Sequence, residues 1–171
     1  MANQKLVCVD SSVFISHLRG GSDRQQVDIP MLRGFFNEVD SKKVSIVFPT
    51  MERGELLQCR WSAEKYGEFI RLLDLPNVEE APVNPLVSET ASEIRNYYTE
   101  KNEHDQSVPK MSLPDSIIVA TAIVWECGTL LTYDGDRELP GKPRKLLGLA
   151  NPIGGKHALH IMKPDPIQLG L

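Results

Sequence analysis

Short apolar runs alternate along this chain with longer stretches whose apolar residues recur at helical spacing. The first run, Leu6-Val7-Cys8-Val9, breaks abruptly into Asp10-Ser11-Ser12, predicting a buried strand that delivers Asp10 to a sheet edge. Ser11 or Ser12 can cap a short helix through Val13, Phe14 and Leu18, stopped by Gly20-Gly21. After Pro30, the spacing of Leu32, Phe35, Phe36 and Val39 predicts a second helix, and Val44 to Phe48 a second strand. Pro49-Thr50 opens a third helix with Glu52, Glu55, Leu56, Leu57 and Cys59, and Ala63, Tyr66, Ile70 and Leu73 mark a fourth. A short extended piece, 78–83, precedes a helix from about Leu86 to Thr99.

Residues 100–112 are polar and aperiodic and read as a loop. Ser112-Leu113-Pro114-Asp115 starts an apolar helix through Trp125, and Thr129 to Thr132 form a brief strand running into Tyr133-Asp134-Gly135-Asp136. The alternation in 157–162 is that of a last strand. Strands alternating with helices imply an α/β fold: a mainly parallel sheet covered on both faces.

The 171 residues suffice for one domain with its own core, with no repeat or internal boundary, so 1–171 is read as a single unit. Nineteen Lys and Arg against 23 Asp and Glu leave a net charge of −4, which argues against binding nucleic acid by bulk charge. It leaves room for a nuclease whose acids sit in one pit. Cys8, Cys59 and Cys127 are odd in number and form no CxxC pair, so buried reduced thiols are expected, not a zinc site or a disulfide framework. No leader pattern and no apolar run of spanning length is present, and a cytoplasmic, membrane-free protein is expected.

The acids change the picture. Ligands of open α/β sheets gather outside the carboxyl ends of the strands, and Asp10, Glu55, Asp115 and Asp134 would be brought there together. Four converging carboxylates cannot all stay ionised without a cation. Each has a plainer reading. Asp10 is a turn residue or a ligand; Asp115 fits a capping box with Ser112; Asp134 opens an Asp-Gly turn; Asp136 is a further ligand or a helix start. Glu52, one turn before Glu55, is its rival. The order is more specific than any member: acid after strand one, acid on the helix after strand two, acid at a helix start, acid after the next strand.

Val7-Cys8-Val9-Asp10-Ser11-Ser12-Val13-Phe14-Ile15, Pro49 to Leu57, Leu113 to Ala122, and Leu130 to Asp136 together resemble the PIN-domain family, and within it VapC-type toxins of toxin–antitoxin pairs. The resemblance spans about residues 5–140, leaving 141–171 as a C-terminal extension; the 100–112 loop is also longer than in a compact member. It implies an α/β/α sandwich, four acidic positions at Asp10, Glu55, Asp115 and Asp134, a variable fifth at Asp136, and a supporting hydroxyl from Ser11 or Ser12. It also implies Mg²⁺- or Mn²⁺-dependent cleavage of single-stranded RNA, a homodimer, and an antitoxin partner whose tail covers the acidic groove.

Oxygen ligands suit Mg²⁺ or Mn²⁺, one ion or two. The expected metal ligands are Asp10, Asp115 and Asp134, with Asp136 a fourth candidate, and Glu55 binds a second ion or positions water. In-line attack by metal-activated water leaves a 5′-phosphate and a 3′-hydroxyl. Candidate RNA-phosphate contacts are Arg137, Lys142, Arg144 and Lys145 after the Asp134 turn, and Arg53 and Arg60 near Glu55. His157 and His160, an odd number of residues apart in the last strand, point to opposite faces and form no joint site. The competing readings are a PIN-fold binding module without catalysis and a Mg²⁺-dependent phosphohydrolase of a small molecule.

Overall fold

The computed structural model describes residues 5–21, 27–136 and 145–170. Its strands are β1 (Lys5–Val9), β2 (Val44–Pro49), β3 (Val78–Ala81), β4 (Thr129–Leu131) and β5 (His160–Met162), joined in one sheet of order β3-β2-β1-β4-β5. Every neighbouring pair runs parallel, with Val7 opposite Ile46 and Thr129, and Leu131 opposite Met162. The helices are α1 (Ser11–Leu18), α2 (Ile29–Asp40), α3 (Arg53–Gln58), α4 (Ala63–Leu73), α5 (Pro85–His104) and α6 (Leu113–Val124).

Alternation along the strands separates two cores. Val7, Val9, Ile46, Phe48 and Leu131 face α1 to α4, where the Phe14 ring meets Phe36, Phe48 and Phe69 edge-on at centroid distances of 5.7, 5.0 and 6.2 Å. Cys8, Val47 and Leu130 face the other way, onto Val87, Ala91 and Ile94 of α5 and Ile118, Val119 and Ala122 of α6. Helices on both faces of a parallel sheet make the PIN-like α/β/α sandwich expected from the sequence. The C-terminal extension supplies β5, so it is part of the same sheet.

Several local expectations are corrected. α1 is capped by Asp10, whose carboxylate accepts the Ser12 N–H at 3.3 Å, and not by either serine. The third helix begins as a 3₁₀ turn, Thr50–Glu52, before α3. α5 runs five residues further than its apolar pattern, through 100–104, because Tyr98 and Asn102 keep burying its inner face and Asn102 Nδ2 ties back to the Val108 carbonyl at 2.6 Å. Only 105–112 is loop. The last strand is shorter than 157–162; His157 lies outside it, bridged to Ile153. Cys8 and Cys127 are buried as free thiols, whereas Cys59 is half-exposed. Among the described residues, no helix is long and apolar enough to cross a membrane.

Candidate active site

From β1 the chain moves to β2 and β3 on one side and returns to β4 and β5 on the other, so its direction reverses between β1 and β4. A crevice opens outside the carboxyl ends of two strands at such a switch point. Asp10 leaves the end of β1 there and Thr132 to Asp136 leave the end of β4. The Asp10 N–H donates to the Leu131 carbonyl at 3.0 Å, fixing the two strand ends side by side.

Asp10 is 5% exposed, and both its oxygens are held. Oδ1 accepts from the Ser12 N–H, with the Ser11 hydroxyl 3.2 Å away; Oδ2 accepts from the Ser12 hydroxyl at 2.7 Å and from the Thr132 hydroxyl. The same hydroxyls serve β4: Ser12 Oγ accepts the Tyr133 N–H at 3.0 Å, and Thr132 Oγ1 accepts the Asp134 N–H at 2.8 Å. Thr132, fully buried, thus orients two acids at once; its position after an apolar run was visible in the sequence, but its role was not.

The two glutamates divide. Glu52 is 1% exposed; its Oε2 accepts the Ser11 N–H, and its buried Oε1 has no hydrogen-bond partner among the described residues. Burial first, then the Asp10 charge, push its carboxyl well above the ordinary range. Glu55 is solvent-exposed and accepts the Ser11 hydroxyl at 2.8 Å. That hydroxyl has one proton, and the shorter contact assigns it to Glu55 over Asp10.

Asp115 stands half-buried in the first turn of α6, its N–H donating to the capping Ser112 hydroxyl at 3.2 Å. Asp134 has Oδ1 3.4 Å from the Lys145 ammonium, and its buried Oδ2 has no hydrogen-bond partner among the described residues. Burial raises its carboxyl above the usual value, Lys145 opposes the rise, and the charges of Asp115 and Asp10 add to it. Asp136 is buried and paired with Lys163, just beyond β5.

Asp10, Asp115, Asp134 and the two glutamates therefore lie close enough to repel one another at these strand ends, with two buried oxygens that lack a hydrogen bond among the described residues, while Asp136 is paired with Lys163. That chemistry suits a divalent cation. Among the described residues, no three such side chains are gathered closely enough to enclose one ion. Of the basic candidates, Lys145 reaches the site, Arg53 is taken by both oxygens of Glu80 at 2.9 and 3.1 Å, and Arg60 is exposed at a left-handed backbone position. Arg137, Lys142 and Arg144 lie outside the described residues.

No family model and no curated protein sequence matches the chain. Among solved structures it is similar to a chain of FitAcB from Neisseria gonorrhoeae, with a TM-score of 0.55, 15% identity, and coverage of 92% of this chain and 97% of that one. It is also similar to a chain of VapBC2 from Rickettsia felis bound to a DNA fragment from their promoter, with a TM-score of 0.50, 13% identity, and coverage of 74% and 86%. At such identities the likeness establishes the fold.

Proposed function

We propose that the protein is a metal-dependent endoribonuclease, acting as the toxin of a toxin–antitoxin pair. The observation that carries the chemistry is the convergence of Asp10, Asp115, Asp134 and the two glutamates at the switch-point crevice between β1 and β4. Asp10, Asp115 and Asp134 would hold Mg²⁺ or Mn²⁺; Asp136, already neutralised by Lys163, is the weaker candidate. The bound cation would supply charge neutralisation at the scissile phosphate and a water of lowered pKa.

The chain's own residues do the rest. Glu55, exposed and hydrogen-bonded to Ser11, would orient the attacking water. Glu52, buried behind it, positions the Asp10-Ser11 turn and does not touch substrate. Lys145 can leave Asp134 for a phosphate when the acid acquires another counter-charge. The toxin assignment rests on the resemblance of the motifs to VapC-type toxins and on the fold shared with chains of VapBC2 and FitAcB. An antitoxin and a second copy of this chain are the partners it implies.

The test is incubation of the purified chain with an RNA pool in Mn²⁺ or in EDTA, followed by end mapping. Cleavage in Mn²⁺ that leaves 5′-phosphates, and is absent with Asp10→Asn, supports the reading. Absence of cleavage by the wild type would make the protein a non-catalytic module of the same fold. For the toxin role, wild type expressed alone should arrest growth and Asp10→Asn should not.

A further inference from the structure

We infer that a groove beside the acidic crevice is a stacking subsite for an unpaired nucleobase of the RNA strand, an inference that rests on the nuclease reading for the identity of the ligand. The groove has a volume of about 640 Å³ and lies between the end of α5, the 105–109 loop and the irregular segment 148–152. Tyr97, Lys101 and His104 line it at successive turns of one helix face.

The Tyr97 ring is a built platform. Tyr98 packs against it edge-on at 5.1 Å and 86°, and Tyr98 is itself held by the Gly154 N–H donating to its hydroxyl at 3.3 Å. On the opposite wall, Gly155, in the turn between Ile153 and His157, adopts φ +74°, and a Cβ there would stand 3.0 Å from the ring. Only glycine lets the backbone brace the ring so closely.

What covers the ring is a displaceable cation. The Lys101 ammonium stands 5.6 Å from the Tyr97 centroid and, among the described residues, makes no ion pair. An incoming base takes the ring face, and the ammonium swings to the adjoining phosphate, so one side chain answers both parts of a nucleotide. The carboxylate in the lining, Asp105, accepts the Ser107 hydroxyl at 2.7 Å and the Ser107 N–H at 2.9 Å, which hold its carboxyl below the usual carboxylate range.

Both walls are joined to the acidic site along the chain. The Leu147 N–H donates to the Asp134 carbonyl at 3.1 Å, immediately before Gly148 enters the groove. Pro109, on the other wall, lies six residues before Asp115, so at most about 20 Å of chain separates them. A single strand leaving the acids along the 147–148 wall would reach the groove. A duplex would keep its bases stacked on each other and gain nothing from the ring.

The experiment uses the full chain carrying Asp10→Asn, so that binding is read without cleavage. A short uridine-rich strand with one thiouridine is titrated by fluorescence anisotropy and then photo-crosslinked. Tyr97→Leu is expected to bind about tenfold more weakly, the loss of one stacked base, while Tyr97→Phe binds like the parent. Lys101→Ala is expected to reduce the salt slope of binding by about one. Crosslinks are expected on the peptide carrying Tyr97 to His104, and thermal melts confirm that each variant is folded.

Unchanged affinity of a folded Tyr97→Leu, or crosslinks only elsewhere, overturns the subsite. So does a Tyr97-dependent protein partner with RNA affinity unaltered, which would make the groove a protein-docking surface. Parallel cleavage by the chain with native Asp10 separates the two readings. Tyr97-dependent binding without cleavage keeps the subsite and removes the nuclease; cleavage with Tyr97-independent binding does the reverse.

Discussion

Thr132→Val tests whether the end of β4 is organised by one hydroxyl. Thr132 Oγ1 donates to Asp10 Oδ2 and accepts the Asp134 N–H at 2.8 Å, in a site with no solvent access. Valine keeps the shape and removes both bonds. A hydrogen bond to a charged acceptor contributes about 1.5–3 kcal/mol and a neutral one about 1 kcal/mol. The additional buried methyl returns up to ~0.8 kcal/mol. The expected net loss is about 2–3 kcal/mol, taking the two bonds as less than additive. For a chain of this size that is a fall in Tm of roughly 4–12 °C.

The assay is denaturant unfolding of wild type, Thr132→Val and Thr132→Ser, with C_m compared at unchanged m. Serine retains the hydroxyl and should recover most of the polar contribution, losing only its methyl. The coupling to Asp10→Asn is measured in the same series, because the two residues share a bond and should be strongly non-additive. A Thr132→Val variant within about 0.5 kcal/mol of wild type, the range of an uninvolved surface change, would refute the reasoning.

Asp10→Asn should fold, since asparagine caps α1 as well as aspartate does, yet lose Mn²⁺ binding by calorimetry and RNA cleavage. Glu55→Gln should lower kcat with little change in stability, whereas Glu52→Gln should raise metal-free stability at neutral pH by removing a carboxyl whose ionised form is disfavoured by burial and by Asp10; melts and single-turnover rates check both. The carboxyls of Glu52 and Asp134 are raised in the folded state, so the native protein binds more protons than the unfolded chain above the ordinary carboxylate range. Metal-free stability should accordingly fall as pH rises from that range toward neutrality, and Mn²⁺ should restore it at neutral pH; a metal-free melting curve rising with pH across that window would contradict the sign. Lys145→Ala should weaken RNA binding and leave the fold intact, read as a raised KM with kcat little changed.

The sequence by itself determined the strands, the order of the helices and the positions of the acids. Strand-ending acids such as Asp10 and Asp134 are legible because an apolar run that stops at a charge can place it only at a sheet edge, and Ser112-x-x-Asp115 marks a helix start by local hydrogen bonding alone. Periodicity likewise identified α2, α4 and α6, whose buried faces are regular. What depends on through-space neighbours was decided by the tertiary structure. The sequence favoured Glu55 over its rival Glu52 without giving their burial, and only the packing of the Thr50–Glu52 turn against the start of α1 buries one and leaves the other exposed. Thr132 gains its role from Asp10, 122 residues away, and Asp136 loses its freedom to Lys163 on a segment whose pairing no local pattern specifies. The groove at Tyr97 is of the same kind: its walls come from the end of α5 with the 105–109 loop and from 148–152, distant in sequence, and the second precedes β5, whose parallel pairing with β4 is a long-range contact that local sequence cannot encode.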